Sequence, residues 1–204
     1  MKFAVFASGN GSNLQAIIDA VKAGEIKAEL ALVFSDNRKA LALKRAKEAG
    51  IPTLVLVRKD YATPQSYERD ITIQLKGMGI DFIVLAGYMR ILTPFFIKQY
   101  PSQIMNVHPS LLPSFKGAHG IKDAFTYGVK VTGVTIHLVD EKMDHGPIIL
   151  QDSFRVAENE TLESLEERIH QLEHRLYPRA VALYVDGRLK VSGRRVKILE
   201  RPTK

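Results

Sequence analysis

The chain has 204 residues, 46% hydrophobic and 25% charged, with 14 Gly and 9 Pro, which allows one domain with a buried core and excludes two large ones. The same balance excludes disordered and fibrous classes. The absence of cysteine excludes disulfides and thiolate metal sites and points to a reducing, cytoplasmic setting.

Apolar runs at 3–7, 30–34, 53–57 and 82–86 predict strands buried on both faces. The first run stops at Gly9 and Asn10, so it does not extend into the core of a signal peptide. Between the runs, helical spacing at 13–23 (Leu14, Ile17, Ile18, Val21), 40–49 and 67–78 predicts amphipathic helices, the alternation of parallel βαβ units. Segments 131–140 and 147–156, joined by Glu141-Lys142-Met143-Asp144-His145-Gly146, predict an antiparallel pair. A long helix follows, with Thr161 as N-cap but no full capping box, and with the stripe Leu162, Leu165, Ile169, Leu172 and Leu176. Pro178 is expected to kink it or to begin a second helix.

The expected fold is therefore α/β: a mostly parallel, Rossmann-like central sheet flanked by helices on both faces, with an antiparallel C-terminal portion and ligands at the carboxyl ends of strands. Much of the net charge of +7 sits at the end of the chain, where residues 186–204 hold seven Lys or Arg against Asp186 and Glu200. That segment alternates as Leu189-Lys190-Val191 and Val196-Lys197-Ile198, the pattern of a solvated hairpin, and lacks the interleaved aromatic groups of a nucleic-acid site. No apolar stretch approaches the ~20 residues that a membrane helix requires.

Gly9-Asn10-Gly11-Ser12-Asn13 links the first strand to the first helix. Glycines let the backbone curl there, and the helix N-terminus offers free N–H groups to an anion such as phosphate. A dinucleotide site is the rival, since Gly9-x-Gly11 is followed by Asp36 near the place of a ribose-binding acid, yet Leu14 occupies the third glycine position. A plain strand-to-helix turn capped by Ser12 or Asn13 is the third alternative.

In Asn106-Val107-His108-Pro109 the two polar side chains are two apart on an extended segment, so they share a face while Val107 turns to the core. A carboxamide and an imidazole supply what acyl transfer to an amine needs, a fixed donor for the oxyanion and a proton shuttle. Asp144 is placed to reach the ring, fix its tautomer and favour its charge. The same residues also suit a capped carbonyl at His108 and a simple turn at Asp144. His170-Gln171-Leu172-Glu173-His174 matches an inverted zinc-protease pattern, but the chain beyond it offers only Asp186 and Glu200 as a further acidic ligand, so no metal is expected.

Four segments, Ser8-Gly9-Asn10-Gly11-Ser12-Asn13-Leu14-Gln15, Leu85-Ala86-Gly87-Tyr88-Met89-Arg90-Ile91-Leu92, Asn106-Val107-His108-Pro109-Ser110-Leu111-Leu112-Pro113 and Met143-Asp144-His145-Gly146-Pro147-Ile148-Ile149, together resemble the phosphoribosylglycinamide formyltransferases, a folate-dependent family of purine (IMP) synthesis. The resemblance implies one formyltransferase domain over 1–189, with 190–204 as a basic hairpin or tail. It implies transfer of the formyl group of 10-formyltetrahydrofolate, a cosubstrate, to the amine of N1-(5-phospho-D-ribosyl)glycinamide. No metal, membrane or nucleic acid takes part, and the protein acts as a monomer or homodimer.

By the same resemblance, Gly11, Ser12 and Asn13 hold the substrate phosphate and Glu173 contacts the ribose hydroxyls. Met89, Arg90, Ile91, Leu92, Asn106, Val139 and Asp140 line the folate pocket. Asn106 and protonated His108 stabilise the oxyanion, and His108 with Asp144 moves protons as N10 departs. Two positions depart from the pattern: Pro64 stands where some members carry an arginine for the acidic tail of the folate, and Lys116 replaces a common proline. Methionyl-tRNA formyltransferases are similar but add an RNA-binding domain, and formyltetrahydrofolate hydrolases lack the Gly-Asn-Gly-Ser-Asn loop, so that loop chooses the acceptor.

Overall fold

A computed structural model describes residues 1–200; of the basic end, Arg201 and Lys204 lie outside the described residues. The first half alternates as its spacing predicts: β1 (Lys2–Phe6), α1 (Ser12–Lys22), β2 (Glu29–Ser35), α2 (Leu41–Glu48), β3 (Thr53–Val55), α3 (Pro64–Gly77) and β4 (Phe82–Leu85). The second half adds α4 (Pro94–Gln99), β5 (Ile104–His108), α5 (Gly120–Tyr127), β6 (Val131–Leu138), β7 (Ile148–Arg155), α6 (Leu162–Val185), β8 (Leu189–Ser192) and β9 (Arg195–Ile198).

These strands form one sheet in the order β3-β2-β1-β4-β5-β6-β7-β9-β8. Strands β1 to β5 pair in parallel, whereas β6 joins β5, and β7 joins β6, antiparallel. The order reverses between β1 and β4, and crevices for ligands form at such switch points. The basic end is the hairpin of β8 and β9, and β9 extends the sheet beside β7 through one parallel pair, Ile148 with Arg195.

Period-two alternation explains why the inner strands are apolar throughout. Phe3 and Val5 of β1 enter the cluster under α1, α2 and α6, while Ala4 and Phe6 enter the one under α3 and α4. Phe82 and Val84 of β4 divide from Ile83 and Leu85 in the same way. Among the described residues, no helix is long and apolar enough to cross a membrane.

Two helix expectations need correction. Ser164 completes a capping box with Thr161, because a serine hydroxyl in the third helical position accepts from the Thr161 N–H just as a Glu or Gln would. Helix α6 also continues through Pro178 as one element. Its neighbour Tyr177 is fully buried, and its one hydroxyl proton is shared between the carbonyls of Leu85 (2.8 Å) and Met105 (3.0 Å), which pins this turn to the sheet. Thr63 and Ser66 form a second capping box, and it places Pro64 in the first turn of α3, where a missing N–H costs nothing.

Replacing Tyr177 by Phe should leave both carbonyls without this donor and lower the unfolding free energy by about 1–3 kcal/mol. Urea denaturation monitored by circular dichroism measures the loss.

Candidate active site

The loop after β1 crosses the carboxyl edge of the sheet, where the Ser8 N–H donates to the Gly87 carbonyl at 3.0 Å. Gly11 then caps α1 with φ +76° and without any side-chain cap. A Cβ on Gly11 would stand 2.8 Å from both Cα and Cβ of Ala42, so only glycine permits the turn and the approach of α2. Neither Ser12 nor Asn13 serves as the cap, which leaves the leading N–H groups of α1 without a side-chain partner.

Asn13 reaches instead to α6, where its Nδ2 donates to Glu173 Oε2 at 2.8 Å, and its own Oδ1 is buried without a partner. His170 Nδ1 lies 3.1 Å from the same Glu173 oxygen, and this carboxylate raises the His170 pKa while burial opposes the rise. His170 and His174 stack. Among the described residues, no group of three His, Asp or Glu side chains is arranged to hold a metal ion.

Asn106, His108 and Asp144 converge as expected. His108 is buried, with Nδ1 3.5 Å from Asp144 Oδ2 and Nε2 2.8 Å from the Phe115 carbonyl. A carbonyl only accepts, so the Nε2 proton points at Phe115. Burial pushes the His108 pKa below the ordinary 6.5, with Asp144 and the Phe115 carbonyl pulling the other way. The expectation of a protonated ring therefore meets an opposing desolvation that prevails in this arrangement.

For Asp144, burial works to raise the pKa, but His137, the Gly117 N–H at 2.8 Å and the charge of His108 hold it below the ordinary value. Asp144 takes φ +46°, uncommon for a residue with a side chain. Gly146 is indispensable to this path, since a Cβ there would fall 1.8 Å from the Leu138 carbonyl oxygen. That close approach explains the glycine in Asp144-His145-Gly146.

His137 escapes the sequence reading. Its Nδ1 donates to the Leu138 carbonyl at 2.8 Å, so in the neutral ring Nε2 is free to accept from Asn106 Nδ2 at 3.3 Å. The same Nε2 stands 3.8 Å from Asp144 Oδ1, so one ring lies beside both Asn106 and the carboxylate. The available signal was Thr135-x-His137, spaced like Asn106-x-His108; antiparallel register sets Asn106 against His137 and His108 against Thr135. Thr135 in turn donates to the Ser110 carbonyl and accepts from the Leu112 N–H, fastening the loop that carries Phe115.

The positions expected to line a folate pocket separate by environment. Met89 and Ile91 are 73% and 78% exposed, whereas Leu92 is buried in the sheet cluster that Val139 packs against. Asp140 accepts from His145 Nδ1 at 2.7 Å, and Arg194 of the β8–β9 turn lies 3.2 Å from that ring. A cavity of about 320 Å³ opens behind this loop, bounded by Leu112, Lys116, Asp144, His145 and Arg194. Asp36 spends both oxygens within the protein, on Ser8 Oγ and Arg90 Nε, each at 2.6 Å, which removes it as the free ribose acid of a dinucleotide site.

The family model described as "Formyl transferase" matches residues 1–181. The chain is 44% identical over 180 residues to "Phosphoribosylglycinamide formyltransferase" of Bacillus subtilis (strain 168), covering 88% of this chain and 92% of that one. It is 43% identical over 193 residues to "Trifunctional purine biosynthetic protein adenosine-3" of Drosophila melanogaster, covering 94% of this chain but only 14% of that protein. Among solved structures, glycinamide ribonucleotide transformylase 1 from Symbiobacterium toebii superposes with a TM-score of 0.96 at 42% identity, over 98% of this chain and 94% of that one.

The two depressed pKa values act in one direction. Between its lowered folded value and 6.5, His108 binds more protons unfolded than folded, so stability falls as pH drops through that window. Asp144 contributes stability above 3.8 that is lost as pH falls through its lowered value. The urea midpoint should therefore decline from pH 7 to pH 3, and His108→Asn should flatten the part just below pH 6.5 while keeping the part below pH 4.

Proposed function

The chain belongs to the formyl transferase family, and from that premise we propose that it transfers the formyl group of 10-formyltetrahydrofolate to the amine of phosphoribosylglycinamide. The observation that carries this reading is the convergence of Asn106, His108 and Asp144 through His137. The acceptor is supported by the names of high-coverage relatives and by the uncapped glycine loop.

In this reading, Gly11, Ser12 and Asn13 receive the substrate phosphate, because free N–H groups and the positive helix end attract an anion. Glu173 accepts from the ribose hydroxyls, and the unpartnered Asn13 Oδ1 adds a second acceptor. Met89, Arg90, Ile91 and Leu92, with Asn106, Val139 and Asp140, take up the folate, whose apolar surface covers the exposed Met89 and Ile91. When bound, the formylfolate supplies the electrophilic carbon.

His108 starts neutral, as its burial favours, and takes the proton that the attacking amine gives up. The imidazolium then stands between Asp144 and the new oxyanion, whose negative charge offsets the cost of burying the cation. For this step the Phe115 carbonyl releases Nε2 and the ring proton passes to Nδ1, which faces Asp144, so that Nε2 is left to accept from the amine. Asn106, with one amide N–H engaged by His137, donates the other to the oxyanion. As the C–N10 bond breaks, His108 returns its proton to the departing nitrogen, and the ring is neutral again.

Mixing the protein with glycinamide ribonucleotide and formylfolate should release tetrahydrofolate in proportion to the amine present; release that ignores the amine removes the assignment. His108→Ala should lower kcat by about 10²–10⁴-fold with much less effect on folate binding. Asn106→Ala should cost about 10²–10³-fold in kcat. Stopped-flow turnover and equilibrium binding separate the two effects.

A further inference from the structure

Asp36 lies just beyond β2 at the carboxyl edge, and the transfer reaction as derived makes no use of it. Its side chain is only 9% exposed. Oδ1 accepts from the Ser8 hydroxyl at 2.6 Å, and Oδ2 accepts from Arg90 Nε at 2.6 Å. A hydroxyl has one proton. Because Ser8 gives that proton to Asp36, its lone pairs are left to accept from the Met89 N–H, at 3.0 Å.

Segment 87–90 is thereby fastened from three directions. The Gly87 carbonyl accepts from the Ser8 N–H, the Met89 N–H donates to the Ser8 hydroxyl, and the Arg90 side chain binds Asp36. Asn37 Nδ2 donates to the Ser8 carbonyl at 3.1 Å and keeps Ser8 itself in place. At the far end, Glu68 of α3 accepts from the Thr93 N–H at 2.8 Å and from the Thr93 hydroxyl. Between these anchors, Met89 and Ile91 project into solvent.

We propose that Asp36 is a positioning residue that fixes residues 87–90, through Ser8 and Arg90, in the shape that receives the formylfolate. This rests on the reading that residues 89–92 line the cosubstrate pocket. A loop held in its binding shape loses less conformational entropy when the ligand arrives. A carboxylate is needed because two donors face it, and an amide in its place would turn one N–H group toward another. Asn106, His108 and Asp144 stand on other elements, so the chemical step is left as it was.

The test varies each substrate against Asp36→Ala, Asp36→Asn and the wild type. Asp36→Ala removes both hydrogen bonds to the carboxylate, and the freedom this returns to residues 87–90 should raise the KM for formylfolate by about tenfold. With Asp36→Ala, kcat and the KM for the ribonucleotide should stay close to wild type, and Asp36→Asn, which keeps one acceptor, should fall between. Equal rises in both KM values, a kcat loss as large as the KM change, or a lowered melting temperature with unchanged KM would each overturn the proposal. If Asp36→Ala does not fold, Ser8→Ala carries the same expectation, since it removes the hydroxyl that accepts from the Met89 N–H and donates to Asp36 while leaving the Arg90 contact in place. Wild type inactive with formylfolate would remove the functional reading, whereas active wild type with an unchanged Asp36→Ala KM removes this inference alone.

Discussion

Asn106 faces His137, and His108 faces Thr135, across the pair of β5 and β6, and the chemistry depends on that register. A slip of one residue would turn each polar side chain to the opposite face and break the contact between amide and imidazole. The site thus sits at the seam where a parallel sheet becomes antiparallel. On the parallel side β5 lies beside β4, whose exit carries residues 87–92; on the antiparallel side β6 leads into the loop of Asp144.

The same seam sets the electrostatics. At an effective dielectric of about 20, unit charges 3.5 Å apart attract by about 5 kcal/mol, while desolvation costs several kcal/mol for each ion. The two are close enough that a modest addition decides the outcome. Without substrate, burial prevails and the His108 pKa is lowered; a negative oxygen arriving beside the ring would shift the balance. In the proposed reaction, a group poised this way would change protonation instead of remaining charged throughout.

Local chemistry was legible in the sequence, and pairing across long separations was not. The apolar runs gave β1, β2 and β4 because strands buried on both faces leave an unbroken signature, whereas β3, expected to be buried in the same way, is half-buried at the sheet edge. Asn106-x-His108 was readable because alternation is a property of the strand itself. His137, by contrast, acts only through its antiparallel neighbour, and Asn13 meets Glu173 over a separation of 160 residues. Asp36 misled for the same reason: its distance from the glycine pair suits a ribose acid, and only the fold brings Ser8 and Arg90 to it. Pro178 was over-read, because Tyr177 and the buried stripe hold α6 together at the point where propensity alone would break it.

The β8–β9 hairpin also guards the sheet. Strand β9 meets the start of β7 at one pair, Ile148 with Arg195, and Arg194 leans on His145 beside the Asp140–His145 pair. A chain cut after α6 would uncover the backbone of β7 at Ile148, where Arg195 now pairs with it. It would also strip a cation from the rim of the cavity behind Asp144. What reads in sequence as a basic hairpin or tail is therefore a selvedge: it finishes the sheet at the border beside the Asp144 loop.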